Sequence, residues 1–420
     1  MRLSKFGDTF NQGSGIVSLM EDLGAALRDN PDMLFLGGGN PAHIPAVASV
    51  LQQALQQVLD DPLKSQQMLG VYQPPAGDTA LRDELAALLN REFQWGLTRH
   101  NLALANGSQS AFFVLFNLLA GESQDGVCRH IQLPLVPEYL GYSELGLCDN
   151  FYRAERPTIE LLGDDQFKYR VDFERFQLDS HSAAVCVSRP TNPTGNVITD
   201  AEMARLDALA QAHGVPLIVD GAYGTPFPSI IFTDANPTWN DNTVLVLSLS
   251  KLGLPGARTA VVIANEALIQ TFAQANTVLS LAAGNMGPAI ARQLIASEQL
   301  LALGREAVGP YYRQRAAQTV QLLQQALAGL PYRIHKPEGA IFLWLWLKDL
   351  PITSEQLYQR LKARGVLVIS GHHFFPGLDE PWQHQHECVR LSYGQPMEMI
   401  ARAVAILADE VRSVYLAGSL

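Results

Sequence analysis

The sequence has no long apolar run and no excess of positive charge. Its longest uninterrupted apolar run is the eight residues AIFLWLWL at 340–347, far shorter than the roughly 20 residues that span a membrane. The formal net charge of −11 argues against nonspecific binding to nucleic acid or to an anionic membrane surface. The N-terminal residues MRLSKFGDTFNQGSG contain no apolar core, so we expect no signal peptide.

Cysteine is also scarce, and no two cysteines form a CxxC pair. In a chain of 420 residues, scattered cysteines predict reduced thiols and a cytoplasmic location, whereas a disulfide framework would need more of them at regular spacings. The four cysteines are Cys128, Cys148, Cys186 and Cys388.

The middle of the chain alternates short apolar strands with helical segments. We predict strands at 183–188, 215–220 and 243–250, and an amphipathic helix at 200–214 that has Asp200 as its N-cap. The strands are apolar throughout rather than alternating apolar with polar residues. This pattern predicts an α/β fold with a mostly parallel sheet that is covered by helices on both faces.

The last third of the chain changes character. The apolar, aromatic strand AIFLWLWL is followed by a helix, shorter strands and a final helix. Because 420 residues exceed what one hydrophobic core usually supports, we expect two domains. The predicted division is an N-terminal segment at 1–55 that joins the small domain, a large domain at 56–300 and a small α+β domain at 301–420.

Polar residues stand at the predicted carboxyl ends of several strands, where open parallel sheets bind their ligands. Lys251 follows the apolar strand TVLVLSLS, and Asp220 ends LIVD. A lysine at such a buried place is informative because desolvation lowers its pKa towards a neutral, nucleophilic amine. The other polar residues at or near strand ends are Asn106, Ser108, Gln109, Asn192, Tyr223, Ser248 and Ser250.

The segment LALANGSQ at 102–109 leads from a strand into a helix. Free backbone N–H groups and the helix dipole favour an anion at such a turn. Together with Lys251, Asp220 and Arg258, the site offers an amine, a carboxylate, a phenol, an amide and an anion cradle with an added arginine. These are the groups that a pyridoxal 5′-phosphate site requires.

Several motifs carry a resemblance to a known family. They include LGGGNPAHIP, NGSQSAFFVLFNLLAG, VSRPTNPTGNVITDAE, SLSKLGLPGAR and HKPEGAIFLWLW. Over essentially its full length the chain resembles the fold-type I aminotransferases, in which NPTGN, D-x-x-Y and S-x-S-K occur in this order and spacing. The resemblance implies dependence on pyridoxal phosphate and the fold of that family, a large domain with a mostly parallel seven-stranded sheet beside a smaller α+β domain.

The resemblance also implies a role for each matching residue at the cofactor. Lys251 would bond covalently to the cofactor aldehyde and later move a proton, Asp220 would face the pyridine nitrogen, and Tyr223 and Asn192 would contact the phenolic oxygen. Tyr139 would stack on the ring. The residues implied for the phosphate are Gly107, Ser108, Gln109, Ser248 and Arg258, with Tyr72 donated by a second subunit. The implied assembly is a homodimer with the active site at its interface.

For the substrate, the resemblance implies that Arg390 binds the α-carboxylate, with Asn192 and the backbone of Gly38 and Gly39 beside it. A planar guanidinium suits that task better than an ammonium group. One departure concerns Arg258, which follows Lys251 by seven residues where the commonest family pattern has eight. The contact of Arg258 with the phosphate is therefore expected but open.

Each of these residues also has a purely structural interpretation. Lys251 could be a strand-end lysine that reaches solvent, Asp220 could cap the turn GAYG, Asn192 could belong only to a turn, and Arg390 could pair with a surface carboxylate. The motifs in combination favour the cofactor site.

A metal site is not predicted, although histidines are concentrated near the C-terminus. His372, His373, His384, His386 and Cys388 follow no familiar zinc spacing. GGGN at 37–40 does not continue as a dinucleotide fingerprint.

The function that the resemblance implies is amino-group transfer between small neutral amino acids and 2-oxo acids, with valine and pyruvate giving 2-oxoisovalerate and alanine by ping-pong chemistry. The same resemblance makes Gly15, Ile16 and Phe342 candidates for the side-chain pocket. Two alternatives remain: a carbon–sulfur β-lyase on the same fold, and a regulatory protein that binds pyridoxal phosphate without turnover.

Overall fold

The computed structural model describes residues 2–4, 7–8, 10 and 15–418. Within these residues, every helix is too short or too polar to cross a membrane. Twelve helices are named here: α1 (Gly15–Asp29), α2 (Pro45–Asp60), α3 (Pro62–Gly70), α4 (Thr79–Phe93), α5 (Ser108–Leu119), α6 (Asp200–Ala212), α7 (Glu266–Ser280), α8 (Met286–Ala296), α9 (Gln299–Ala302), α10 (Gly309–Ala326), α11 (Ser354–Ala363) and α12 (Met397–Gly418).

The strands are β1 (Leu34–Phe35), β2 (Leu102–Ala105), β3 (Gly121–Glu122), β4 (Cys128–Leu133), β5 (Tyr152–Ala154), β6 (Thr158–Leu162), β7 (Gln166–Arg170), β8 (Ser182–Ser188), β9 (Leu217–Asp220), β10 (Thr243–Ser248), β11 (Ala260–Ile263), β12 (Tyr332–His335), β13 (Phe342–Leu347), β14 (Val366–Leu367), β15 (Ile369–Ser370) and β16 (Cys388–Ser392).

The central sheet has the order β2-β11-β10-β9-β8-β4, and both β5 and the two-residue β3 pair with β4. The pairs from β10 through β9, β8 and β4 to β5 are parallel, and β11 is antiparallel to both of its neighbours. Without β3, the sheet has the seven mostly parallel strands that the resemblance implies. The predicted fold class is confirmed.

The apolar composition of the central strands follows from their position. Every residue of β8, β9 and β10 is buried, because helices cover both faces of the sheet and neither side of a strand meets water. Their register places Ser188, Asp220 and Val246 side by side. The polar residues that follow β8, β9 and β10 therefore converge at one edge.

A second sheet has the order β15-β16-β13-β12-β7-β6. Its β6–β7 hairpin (Thr158–Arg170) lies inside the range 56–300 that we predicted for the large domain, yet β7 pairs in parallel with β12, with Ile334 opposite Gln166. Local sequence identifies strands but not the sheet that they join, since that depends on contacts far apart in the chain. The domain boundaries themselves stay a prediction.

The N-terminal part of the chain contacts the C-terminal part through a short parallel pair. Leu34 in β1 pairs with Val366 in β14, and the Leu36 carbonyl accepts the N–H of Ser392 at 2.7 Å. These bonds bring the glycines at 37–39 close to β16, which carries Arg390.

Helix α6 differs from our expectation at its first residue. Its N-cap is Thr199, whose hydroxyl accepts the N–H of Glu202 while the Glu202 carboxylate accepts the N–H of Thr199. Asp200 is the first residue of the helix and forms an ion pair with Arg189. The prediction of Asp200 as the cap is wrong by one residue because a threonine three residues before a glutamate makes a reciprocal capping pair.

Candidate active site

A cavity of about 480 Å³ opens where the carboxyl ends of the central strands meet α1, the glycines at 37–39 and β16. It brings together residues from distant parts of the chain. Of the predicted site residues, those lining it are Gly38, Gly39, Ser108, Gln109, Tyr139, Asn192, Asp220, Tyr223, Ser248, Lys251, Arg258 and Arg390.

Lys251 lies in a single helical turn that follows β10. Its Nζ donates to the carbonyl oxygen of Gly39 at 2.6 Å and stands 5.4 Å from the centroid of the Tyr223 ring. The pKa of this amine is lowered to about 8, chiefly by burial and then by the charges of Arg390 and Arg258, while Asp220 acts in the opposite direction. Lys251 therefore has a larger neutral, nucleophilic fraction near neutral pH than an ordinary lysine, although the protonated form still predominates.

Asp220 ends β9 and is almost completely buried. One carboxylate oxygen accepts the hydroxyl of Tyr142 at 2.7 Å, and the other accepts the N–H of Ala222 at 2.9 Å. Burial raises the pKa of Asp220, whereas these two donors and Lys251 lower it. The result is a buried carboxyl group that faces the cavity and is well suited to hold a proton or a cationic nitrogen.

Arg390 in β16 faces the cavity from the opposite side. Its two terminal nitrogens donate to Asn192 Oδ1 at 2.7 Å and to the Gly37 carbonyl at 2.8 Å. The guanidinium lies 4.0 Å from the centroid of the Phe342 ring and 5.1 Å from that of Phe374. Burial lowers its pKa to about 10, so Arg390 remains cationic at neutral pH and is held in one orientation.

Asn192 and Tyr223 adjoin Arg390. Tyr223 is buried, its ring meets that of Phe342 edge-on at 6.0 Å, and burial raises its pKa. The phenol therefore keeps its proton at neutral pH and can donate a hydrogen bond into the cavity. Asn192 can also donate, because only its oxygen is bonded to Arg390.

The N-terminus of α5 forms an anion-binding end of the cavity. Gly107 precedes the helix with a φ of +90°, and a Cβ built on it would lie 2.1 Å from an Arg258 nitrogen. The guanidinium of Arg258 therefore packs directly against the first turn of α5, beside Ser108. The seven-residue spacing from Lys251 thus brings Arg258 to this turn.

Tyr139 and Tyr72 have different surroundings. Tyr139 lines the cavity, and its ring leaves no room for a Cβ at Gly141. Tyr72, in contrast, is 80% exposed, lies in the loop after α3, and does not line the cavity of its own chain.

The chain matches the family described as aminotransferase class I and II over residues 31–407. It belongs to this family. The valine–pyruvate aminotransferase of Escherichia coli (strain K12) is 51% identical over 415 residues, which are 99% of each chain. The predicted family resemblance and the prediction of an aminotransferase are confirmed.

Solved structures agree with this assignment. The crystal structure of valine–pyruvate aminotransferase from Salmonella typhimurium LT2 has a TM-score of 0.88 and 50% identity, covering 96% of this chain and 100% of that one. The α-aminoadipate aminotransferase LysN of Thermus thermophilus was solved in complex with N-(5′-phosphopyridoxyl)-L-leucine. It has a TM-score of 0.71 at 21% identity, covers 93% of this chain and 95% of that one, and is similar in fold alone.

Sequence reasoning missed several residues of this aminotransferase's site. Tyr142 and Glu138 stand in the segment VPEYLGY that we used only for Tyr139, and Ser188 ends β8. The sequence did contain a signal for Tyr142. It follows Tyr139 by three residues, and a single helical turn at Leu140–Tyr142 can bring the side chains at that spacing to the same face of the segment. Gly15 and Ile16, which we predicted near the side-chain pocket, begin α1, and the surroundings of these two residues lie outside what the structure describes.

The C-terminal histidines separate into two groups. His384 is buried and hydrogen-bonded to Tyr169, whereas His372 and His373 lie beside Glu355, with potential ligand atoms within 4.8 Å of one another. Our prediction of no metal site stays a prediction.

Proposed function

We propose that this aminotransferase uses pyridoxal phosphate to exchange the amino group between valine and pyruvate, giving 2-oxoisovalerate and alanine. The observation that carries the proposal is a single cavity lined by an amine with a lowered pKa, Lys251, a buried carboxyl, Asp220, and a fixed guanidinium, Arg390. The names of the two relatives that are about half identical over nearly the full chain support the choice of substrates.

The residues present fit the cofactor. The first turn of α5, Arg258 and the serines after β10 supply donors for a phosphate dianion, and Asp220 can face a pyridinium nitrogen. Arg390 Nε is buried and has no hydrogen-bond partner among the described residues, which leaves a donor for a carboxylate ligand. We propose that Ser108, Gln109, Ser248, Arg258 and the backbone at Gly107 hold the phosphate.

When bound, pyridoxal phosphate supplies an aldehyde that captures the amino group and an aromatic ring that accepts electrons. Lys251 would hold this group as a nucleophile through its Nζ, and its free amine would serve as the base for the proton at the substrate α-carbon. Its lowered pKa suits both tasks. Asp220 would hold the proton at the ring nitrogen, and Tyr223 and Asn192 would donate to the phenolic oxygen.

Arg390 binds the substrate α-carboxylate with its planar fork, assisted by Asn192 and the backbone of Gly38 and Gly39. Apolar side chains also line the cavity. They include Leu19 and Leu23 of α1, Phe35 and Ile369. An aliphatic substrate side chain would be favoured there because no charged group would have to be buried.

We further propose a homodimer in which Tyr72 of each subunit reaches the phosphate of the other. Tyr72 and Val278 are 80% and 90% exposed. Asn285, which follows the helix that carries Val278, donates to the Val71 carbonyl at 2.6 Å and so connects this segment to the loop that carries Tyr72. Exposed apolar residues beside the anion end of the cavity fit a second copy of the chain.

Sedimentation velocity should show a dimer, and V278E should dissociate it, whereas L161E on β6 should not. A monomeric wild-type protein would refute the assembly.

A cytoplasmic location is also proposed. It is supported by the small number and scattered positions of the cysteines, a pattern typical of proteins in a reducing compartment. Retention in the cytosolic fraction of fractionated cells would be the expected result.

The test of the proposed function is the visible spectrum of the cofactor-loaded protein before and after addition of L-valine without an acceptor. We expect loss of the long-wavelength band, and its return when pyruvate is added. Release of pyruvate and ammonia from a β-substituted amino acid without an acceptor would favour the β-lyase alternative. A coloured protein that no amino acid changes would favour the regulatory alternative.

A further inference from the structure

A second buried carboxyl group lies behind the cavity. Glu138 is 2% exposed and immediately precedes Tyr139. Its Oε1 accepts the N–H of Ser188 at 2.8 Å, and its Oε2 accepts the Ser188 hydroxyl at 2.6 Å and the N–H of Tyr139 at 3.1 Å. Three donors on one carboxylate define its orientation closely, and two of them are backbone groups that cannot reverse.

A short chain of hydroxyl groups connects Glu138 to Asp220. Ser188 Oγ lies 3.4 Å from the Tyr142 hydroxyl oxygen, and that hydroxyl donates to Asp220 Oδ2 at 2.7 Å. Ser188 and Asp220 are direct neighbours on β8 and β9, and all four side chains are buried. The two carboxyl groups are therefore linked through groups that water does not screen.

The direction of the hydrogen bonds between Glu138, Ser188 and Tyr142 depends on the charge of Glu138. When Glu138 is ionised, the single Ser188 proton is committed to it, so Ser188 cannot donate to Tyr142. When Glu138 carries a proton, it can donate to Ser188, and the Ser188 hydroxyl can turn and donate to the Tyr142 oxygen. Tyr142 then becomes a stronger donor to Asp220, and Asp220 becomes a weaker base. Loss of the negative charge on Glu138 acts in the same direction.

The surroundings of Glu138 allow it to change charge near neutral pH. Its pKa is raised to about 7, because the upward effects of burial and of the Asp220 charge exceed the downward effect of the donors at Ser188 and Tyr139. The other titratable groups that face it are Tyr142 and Cys186, whose own pKa values are raised by burial and by the negative charges of Glu138 and Asp220.

We propose that Glu138 is a positioning residue for Asp220: its charge, transmitted through Ser188 and Tyr142, sets how strongly Asp220 holds the proton at the ring nitrogen of the bound cofactor. The inference rests on the proposed function, because it requires a cofactor with a basic ring nitrogen against Asp220. Glu138 would thus adjust the basicity of Asp220 without contacting the cofactor or the substrate.

The test compares wild type with E138Q by titrating the visible spectrum of the cofactor-loaded proteins with pH, without substrate. Removal of a neighbouring negative charge makes other groups lose their protons at lower pH. We expect the midpoint of the spectral change to move to lower pH by about half a unit or more. In single-turnover experiments with L-valine, the maximal rate should fall while the half-saturating concentration stays constant, because Arg390 is untouched.

The matched control is E387Q. Glu387 is also a buried glutamate, it accepts the Trp346 indole N–H at 2.8 Å, and it does not line the cavity. Its replacement should leave the spectral midpoint unchanged. An E138Q protein that loads the cofactor with the wild-type midpoint would overturn the inference while leaving the proposed function intact. Failure of the wild-type protein to form any visible band with pyridoxal phosphate would refute the proposed function itself.

The unmodified protein provides a second test if E138Q does not fold. Infrared difference spectra of the cofactor-loaded wild type between about pH 6 and about pH 8 should contain the band of a protonated buried carboxyl that disappears in step with a change in the visible spectrum. Absence of such a carboxyl band would overturn the inference.

Discussion

At the scale of single residues, Lys251 is controlled by its environment more than by its immediate neighbours in sequence. Its pKa is lowered to about 8 by burial first, and then by Arg390 and Arg258, which come from β16 and from the loop after β10. The attractive charge of Asp220 acts against this shift. The balance leaves an amine that is partly neutral under physiological conditions, which is what capture of an aldehyde requires.

The rate at which the cofactor-free protein takes up pyridoxal phosphate should therefore rise with pH, with a midpoint near pH 8, and level off at higher pH. The lowered pKa means that the reactive neutral amine is the minor form below this value and the major form above it. Stopped-flow absorbance at a series of pH values measures the profile. A midpoint near the ordinary lysine value of about 10.4 would contradict the assignment of a desolvated Lys251.

Arg390 offers a second prediction at this scale. R390K should reduce kcat/KM for both valine and pyruvate by about 10- to 100-fold, because a lysine cannot keep the bonds to Asn192 and Gly37 and also bind a carboxylate in a planar fork. Steady-state kinetics with each substrate measures the effect. R315K is the control, since Arg315 also lies over an aromatic ring, that of Tyr311, and does not line the cavity. Equal kcat/KM in R390K and wild type would exclude the predicted carboxylate contact.

At the scale of elements, the anion end of the cavity depends on how α5 begins. Gly107 has a φ of +90°, and its missing Cβ is what allows Arg258 to lie against the first turn. Arg258 itself adopts a positive φ of 47° at the end of the turn that follows Lys251. The strand-to-helix turn at Gly107 and the turn after β10 are therefore in direct contact.

G107A should weaken the binding of pyridoxal phosphate by about 10-fold or more, because the new methyl group displaces the Arg258 guanidinium and its charge-assisted contact. Titration of the cofactor-free protein, followed by fluorescence, measures the dissociation constant. G96A is the control: Gly96 also has a positive φ, 71°, but a Cβ there meets nothing within 4 Å. Both variants should lose roughly 1 kcal/mol of stability from the backbone, and only G107A should lose cofactor affinity.

At the scale of the whole molecule, a buried ion pair connects the second sheet to the loop that carries Asn192. Lys168 of β7 pairs with Glu338, and its Nζ also donates to Asn196 Oδ1 and to the Val197 carbonyl, each at 2.9 Å. Glu338 in turn accepts the N–H of Val197 at 3.1 Å. Both charged side chains are almost completely buried. Each therefore requires the opposite charge of the other to offset its loss of hydration.

E338Q should lower the free energy of unfolding by about 3–5 kcal/mol, because it leaves the Lys168 ammonium buried without its counter-charge. D83N, which removes the partner of Arg99 in an exposed ion pair, should cost about 1 kcal/mol or less. Urea unfolding of both variants, followed by circular dichroism, measures the difference. Similar losses in the two variants would mean that the buried pair is not required for stability.

The fold and most of the candidate site could be predicted from sequence because they rest on local signals. Continuous apolar runs identify strands buried on both faces, and each polar residue placed directly after such a strand, such as Asp220 or Lys251, is carried to the same edge of the sheet. Tyr139 and Arg390 were found only through the family resemblance. The side-chain partners of these residues have no local signal.

By itself the sequence determined the α/β class, the family resemblance and most of the polar residues that line the cavity, since strands and their ends follow from patterns a few residues long and the resemblance follows from motifs. Only the tertiary structure decided that the β6–β7 hairpin joins the second sheet, and that Glu138 and Lys168 are buried with their partners. Glu138 meets Ser188 across 50 residues, and Lys168 meets Glu338 across 170. A charged group can be buried only where packing brings it a partner, and a partner so distant in sequence is identified only once the chain has folded.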